Sequence, residues 1–201
     1  MTGIALVVVI ALVLFQASRS ATESGPAEGS EAGPMGGAPV GGAPAGGAAM
    51  GGGMPSSADI ASMSPQERAD RLFNRVMIYA SEGKADSAGI FAPMALQAYD
   101  MLGPLDTHGR YDLGLVAIVA SQLTRAKAQA DTILKKNSND LLGLTLAMRV
   151  AEASQNITAR NDYAKRLIAA EPAERKTARD DYTAHANDID AALKDARAKK
   201  P

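Results

Sequence analysis

The hydrophobic residues of this chain fall into three unlike stretches. Residues 4–15 are all apolar, residues 21–58 hold few bulky apolar side chains, and from about residue 65 apolar positions recur every three or four residues. Recurrence at that spacing places apolar side chains on one face of an α-helix. No alternating β-branched run competes with this pattern, so the sequence predicts an all-α domain over 59–201.

The first apolar stretch has the composition of a membrane-spanning helix. Ten of its twelve residues are Ile, Leu, Val or Phe, and each favours the bilayer interior by about 0.3–0.6 kcal/mol. A helix over residues 1–17 would be about 25 Å long, the short end of what crosses a bilayer. We therefore expect a single-pass membrane anchor over 1–20, with its apolar positions at Ile4, Leu6, Val9, Leu12 and Phe15.

A cleaved signal peptide is the alternative for this segment. Its apolar length suits one, and Ser18-Arg19-Ser20 offers small residues around a cleavage site. No Lys or Arg precedes the apolar run, which favours the anchor. Both interpretations direct the chain to a membrane, and we expect the following domain to lie on the periplasmic side.

Residues 21–58 have the composition of a linker. They repeat a five-residue pattern of Gly, Ala and Pro, as in Gly36-Gly37-Ala38-Pro39 and Gly41-Gly42-Ala43-Pro44. So few bulky apolar side chains cannot offset the conformational entropy lost on folding. The sequence therefore predicts a disordered linker whose 38 residues have a root-mean-square span of about 34 Å.

Helix signals begin where the linker ends. Ser64-Pro65-Gln66-Glu67 combines a serine N-cap, a proline at the first helical position and a glutamate three residues after the cap, which together form a capping box. Short polar breaks then separate helix-length segments; the breaks are Gly83-Lys84, Gly103-Pro104-Leu105-Asp106, Asn137-Ser138-Asn139-Asp140 and Glu171-Pro172.

The helical segments repeat with a period of 34 residues. The units span about 69–102, 107–140 and 141–174, and each carries alanine at its position 24: Ala92, Ala130 and Ala164. Such a period is the mark of stacked supersecondary units. Small residues at this position let two antiparallel helices approach closely.

The second unit resembles the tetratricopeptide repeat (TPR) family, from Tyr111-Asp112-Leu113-Gly114 through Ala126 to Ile133-Leu134. The similarity covers about 69–174. It implies a short right-handed α-solenoid of about three helix hairpins, with a C-terminal capping helix over about 173–198. The order of anchor, linker and repeats also resembles that of bacterial envelope TPR proteins.

The chain departs from the TPR pattern at several positions. Arg160 stands where the family has a small residue, and Met148 stands where it has glycine or alanine. Pro93 lies inside the second helix of the first unit, and four extra residues follow that unit.

Composition and charge exclude several classes of protein. The chain has no cysteine, which excludes disulfides and zinc–sulfur sites. Its formal net charge of −1 gives no field that would attract nucleic acid. His108 and His185 lie in no metal or catalytic motif and are expected to be exposed, as are the carboxylates of Asp180-Asp181, Asp188 and Asp190 on a solvated helix face. We therefore predict no catalytic residue, metal site, cofactor or small-molecule substrate, and no enzymatic activity.

The resemblance implies a partner-binding surface on the first helix of each hairpin. The corresponding positions are unusually apolar, and an exposed apolar strip marks a partner site. Its residues are Phe73, Met77, His108, Tyr111, Leu115, Ile118, Val119, Leu142 and Arg149. The alternative is that a neighbouring segment covers them. Arg149 stands nearly alone as a basic residue, so we expect an apolar or helical ligand rather than a charged chain end.

These features together predict a non-enzymatic, membrane-tethered TPR scaffold or adaptor. Its partners would be proteins of a membrane complex, and its anchor would bind the lipid bilayer. One alternative is a structural accessory subunit of a large respiratory or photosynthetic membrane complex. Another is an assembly factor similar to the TPR proteins of cytochrome c maturation.

Overall fold

The computed structural model describes residues 63–199. The predicted anchor over 1–20, with Ile4, Leu6, Val9, Leu12 and Phe15, and the predicted linker over 21–58 lie outside the described residues. Within 63–199, no helix combines the length and the hydropathy needed to cross a bilayer.

All regular secondary structure among the described residues is helical and none is strand, which confirms the all-α prediction for this part of the chain. The elements are α1 (Pro65–Ser81), α2 (Ala85–Asp100), α3 (Thr107–Val119), α4 (Leu123–Lys136), α5 (Leu141–Ala153), α6 (Ile157–Glu174), a 3-10 turn (Arg175–Thr177), α7 (Asp180–Ala184) and α8 (Ala186–Ala198).

The first six helices pack as three consecutive hairpins: α1 with α2, α3 with α4, and α5 with α6. Each hairpin contacts the next one, because α1 and α2 both touch α3, and α3 and α4 both touch α5. Helix α8 then packs against α5 and α6. Ala92, Ala130 and Ala164 are fully buried in α2, α4 and α6.

The helices of the second and third hairpins start at the 34-residue offset seen in the sequence. Helices α5 and α6 begin 34 residues after α3 and α4. Their N-caps also correspond, since Asp106 Oδ1 accepts a hydrogen bond from Gly109 N at 2.8 Å and Asp140 Oδ1 accepts one from Gly143 N at 2.9 Å. The predicted capping box at Ser64 and Glu67 is likewise present at the start of α1.

The turn inside each hairpin closes in the same way. One residue has a positive φ in each turn: Gly83 (71°), Ser121 (58°) and Gln155 (58°). The amide of the following residue donates to the carbonyl five residues back, at N···O distances of 2.9, 2.8 and 2.8 Å. Glycine adopts this left-handed conformation without strain, whereas Ser121 and Gln155 must accept a steric cost.

Close helix approach depends on Gly114 in α3. A Cβ at Gly114 would lie 2.3 Å from Cδ2 of Leu146, a fully buried residue of α5. The glycine therefore lets the first helices of the second and third hairpins meet.

Two prolines lie within helices rather than ending them. Helix α2 continues through Pro93, because Gly89 and Pro93 lie on its exposed face, where water can solvate the carbonyl that proline leaves unpaired. Helix α6 continues through Pro172 to Glu174, so the helix break predicted at Glu171-Pro172 is wrong.

The predicted capping helix over 173–198 is also wrong as a single helix. The chain leaves α6, forms the 3-10 turn and reaches Ala178, whose φ of 48° interrupts the helix. Helices α7 and α8 follow. We call residues 175–199 the C-terminal segment.

Arg160 fastens this segment to the third hairpin. Its buried guanidinium donates to Asp195 Oδ2 at 2.6 Å and to the backbone carbonyls of Asp195 and Lys199 at 3.1 and 3.3 Å. A cation at the carbonyl end of a helix is stabilising. The residue that departs from the TPR pattern therefore binds the end of α8.

Candidate functional site

The structure places the nine predicted partner-binding residues in two groups. Phe73, Met77, His108 and Val119 are half-buried, whereas Tyr111, Leu115, Ile118, Leu142 and Arg149 are buried. The expectation of an exposed strip is therefore wrong for the second group.

The C-terminal segment contacts part of this surface, as the alternative interpretation expected of a neighbouring segment. The His185 ring packs edge-on against Tyr111, with ring centroids 4.7 Å apart. Arg149 Nη2 lies 3.3 Å from Asp188 Oδ1. Arg149 is thus the partner of a buried carboxylate and is not presented to a ligand.

Five side chains meet at this contact and form what we call the polar cluster: His108 and Asp112 from α3, Arg149 from α5, His185 at the start of α8, and Asp188 within α8. All but His108 are buried. The expectation that His185 and Asp188 are exposed is therefore wrong, because the face of α8 that carries them packs inward. Nothing in the sequence indicates that the two histidines, 77 residues apart, would meet.

The two imidazoles contact each other directly. His185 Nε2 lies 2.9 Å from His108 Nδ1, and one of them donates according to the tautomer. Asp112 lies beside both rings, with Oδ2 at 3.4 Å from His108 Nε2 and Oδ1 at 3.5 Å from His185 Nε2. The second nitrogen of His185, Nδ1, lies 3.6 Å from Asp188 Oδ2.

The cluster changes the acidity of its carboxyl groups in opposite directions. Burial raises the pKa of Asp112 to about 6, although the charges of His185 and His108 oppose that rise. Burial alone would also raise the pKa of Asp188, but contact with His185 and the charge of Arg149 hold that pKa below its usual value. Burial also raises the pKa of the neighbouring Tyr111 hydroxyl.

A second polar contact holds the C-terminal segment at the start of α5. Arg179 Nη1 lies 2.7 Å from Asp140 Oδ2, the N-cap of α5. Tyr182 Oη accepts from Leu141 N at 3.1 Å and donates to Glu174 Oε2 at 2.7 Å. The segment is thus fixed to α5 near both ends of that helix.

A cleft of about 390 Å³ opens beside the polar cluster, between α1, α3 and the α7–α8 junction. Phe73 and Met77 of α1 and Leu115 of α3 supply its apolar wall, and His108 and His185 contribute to the rest. No Lys or Arg lines it, whereas Asp70 does. Three half-buried members of the predicted partner surface, Phe73, Met77 and His108, thus remain accessible here.

A comparison with protein-family models found no match for this chain, and neither a curated protein nor a solved structure matched it.

Proposed function

We propose that this chain is a non-enzymatic, membrane-tethered adaptor whose cleft binds a segment of a partner protein. The observation that carries the proposal is the cleft itself: its apolar wall on α1 and α3 stays open to solvent, whereas the C-terminal segment covers Tyr111 and Arg149. Concave sites with apolar walls and a few polar groups are the usual binding sites of proteins.

A TPR-type solenoid is the architecture that we propose for the three hairpins. The common 34-residue offset of α3–α4 and α5–α6, the shared turn geometry and the buried alanines of the second helices support it. In this scheme α1–α2 is the first unit, and the C-terminal segment closes the last one.

The lining of the cleft indicates which partner chemistry it accepts. Phe73, Met77 and Leu115 favour an apolar side chain, and Asp70 favours a neighbouring Lys or Arg on the partner. With no Lys or Arg in the lining, the cleft offers nothing to a terminal carboxylate. The proposed ligand is therefore an apolar segment with basic flanks.

Affinity purification of the full-length chain from detergent-solubilised membranes tests this proposal. Asp70→Lys with Asn74→Lys reverses the charge of the cleft rim on α1 without touching the core. Like charges across an interface cost several kcal/mol, so we expect recovery of a defined partner to fall by at least about tenfold. Thr124→Lys with Ala128→Lys, at the same spacing on the exposed face of α4, is the matched control and should leave recovery unchanged. Equal recovery from both double variants would refute the cleft as the binding site.

A permanent place in a membrane complex is the second candidate function. It is favoured by an exposed apolar row along α2, where Ile90, Met94 and Met101 are 66%, 48% and 66% exposed. Sedimentation of the gently solubilised protein separates the two candidates. A large, constant-stoichiometry species supports the subunit, and a small free species supports the adaptor.

Membrane tethering is proposed from the sequence of residues 4–15 alone. Val9→Asp with Leu12→Asp should release the chain from membranes washed at high pH, because each charge costs about 2.5–3.5 kcal/mol at the centre of a spanning helix. Retention of this variant in the membrane fraction would contradict the anchor.

A further inference from the structure

Three potential metal ligands converge at one side of the cleft. His108, Asp112 and His185 each offer a donor atom, and these atoms all lie within 4.8 Å of one another. They come from two distant parts of the chain, since His185 follows His108 by 77 residues. Such a meeting of two imidazoles and a carboxylate has the donor chemistry of a zinc-type site.

The spacing of these donors is close to that of a metal coordination sphere. Ligand atoms about 2.0–2.1 Å from a tetrahedral Zn²⁺ are separated from each other by roughly 3.3 Å. The His185 Nε2–His108 Nδ1 distance is 2.9 Å, and the His185 Nε2–Asp112 Oδ1 distance is 3.5 Å. Small side-chain adjustments would place all three around one ion.

A buried oxygen without a hydrogen bond gives further support. Asp112 is 3% exposed, and among the described residues its Oδ1 accepts no hydrogen bond. A buried carboxylate oxygen without a donor costs free energy, whereas coordination of a cation removes that cost. Oδ1 is the carboxylate oxygen that lies 3.5 Å from His185 Nε2.

The surroundings of the three residues resemble the outer shell of known metal sites. The other nitrogen of His185 faces Asp188 at 3.6 Å, and Asp188 in turn pairs with Arg149 at 3.3 Å. Tyr99 Oη donates to the second oxygen of Asp112 at 3.3 Å. Carboxylates behind a histidine ligand and donors behind a carboxylate ligand orient both for the metal.

We propose that His108 Nδ1, Asp112 Oδ1 and His185 Nε2 bind one divalent transition-metal ion of the zinc class. The cleft provides the access route and room for water as a fourth ligand. The ion ties α3 to the C-terminal segment and forms part of the wall of the cleft. The proposal is independent of any partner protein.

The test measures metal binding by the untagged, full-length protein in detergent. Zn²⁺ is titrated in competition with a chromophoric chelator, and Co²⁺ is used as a spectroscopic substitute. We expect one equivalent of Zn²⁺ per chain and visible Co²⁺ absorption bands of four-coordinate intensity. Outer-shell changes alone cost about 10–100-fold in metal affinity, so loss of a direct ligand should cost at least that much.

His108→Gln and Asp112→Asn are the test variants. His108 is half-exposed, and Asp112→Asn keeps the shape of the side chain, so circular dichroism should show unchanged helicity. Asp162→Asn is the matched control, because it makes the same carboxylate-to-amide change at an exposed residue of α6 outside the donor set. It should leave Zn²⁺ affinity unchanged.

Two results would overturn the proposal. One is wild-type protein that shows no saturable binding of a single Zn²⁺ equivalent. The other is equal affinity in wild type, His108→Gln and Asp112→Asn, which would place the ion elsewhere. The Co²⁺ spectrum of the wild type remains decisive if a variant loses helicity, because six-coordinate, weak bands would also exclude the site.

Discussion

The repeated hairpins and the C-terminal segment of the described structure differ in the contacts that hold them. The repeated hairpins, α3–α4 and α5–α6, meet through apolar side chains and glycines, as at Gly114 and Leu146. The C-terminal segment also packs apolar residues such as Ile189 and Leu193 into the core, but it adds ion pairs with Arg149, Arg160 and Arg179 that the contact at Gly114 lacks. Apolar contacts can recur from one hairpin to the next because they require only side chains of suitable size at suitable spacing. A polar contact needs each particular partner, so it marks the place where the repeat stops.

The prediction with the largest effect removes Arg149. Arg149→Ala leaves the buried Asp188 with only the imidazole of His185 beside it, and breaking a buried ion pair in this way costs about 3–5 kcal/mol. Urea unfolding followed by circular dichroism measures the loss. Lys127→Ala, which removes an ion pair with Asp131 on the exposed face of α4, should change the unfolding free energy by less than about 0.5 kcal/mol.

A double variant separates the loss of charge balance from the loss of packing. Arg149→Met with Asp188→Leu replaces both charges by apolar side chains, and such replacements are often neutral. We expect it to recover most of the stability lost in Arg149→Ala. If Arg149→Ala and Lys127→Ala cost the same, the C-terminal segment is not held by this pair.

The same contrast explains what could be predicted from the sequence. The all-α fold and the 34-residue offset follow from local signals, such as the capping box at Ser64 and the spacing of Ala130 and Ala164. These signals need only neighbours within a turn or a hairpin. The one strong local signal that misled was Pro172: it lies on the exposed side of α6, where water can solvate the carbonyl that proline leaves unpaired.

The polar cluster could not be predicted because its members come from α3, α5 and α8. His108 and Asp112 lie four residues apart, and so share one face of α3, and His185 and Asp188 lie three apart. Both spacings are common on solvated helices, and the sequence does not say which faces meet. Arg149 within the otherwise apolar stretch of α5 was the one usable signal, since a buried arginine requires a buried carboxylate.

The next prediction disturbs the apolar region. Gly114→Ala places a Cβ against the buried Leu146 and should lower the unfolding free energy by about 1–3 kcal/mol. Gly89→Ala is the matched control, because an added Cβ there meets nothing within 4 Å. As alanine is the better helix former, that control should gain about 0.5–1 kcal/mol. Losses in both variants would mean that helix packing at Gly114 is not the cause.

The N-caps of α3 and α5 are equivalent, but only the N-cap of α5 also contacts the C-terminal segment. Asp106 caps α3 at the exposed surface, and its replacement by alanine should cost about 1 kcal/mol. Asp140 caps α5 in the same way but is buried and also pairs with Arg179. Asp140→Ala should therefore cost about 2 kcal/mol or more. Equal losses by thermal or urea unfolding would show that the contact of Arg179 contributes nothing.

The smallest predicted effect concerns the turns that all three hairpins share. Ser121 and Gln155 adopt the left-handed conformation that Gly83 adopts in the first hairpin. A side chain there costs about 1–2 kcal/mol, while glycine costs part of that through the entropy of the unfolded chain. Ser121→Gly and Gln155→Gly should each gain about 0.5 kcal/mol net, measured as a shift in the urea midpoint, whereas Gly83→Ala should lose about 1 kcal/mol. A gain in stability for the two glycine variants and a loss for Gly83→Ala would show that the three turns share one backbone geometry. A neutral Gly83→Ala would show that the turn of the first hairpin tolerates another geometry and is not equivalent to the other two.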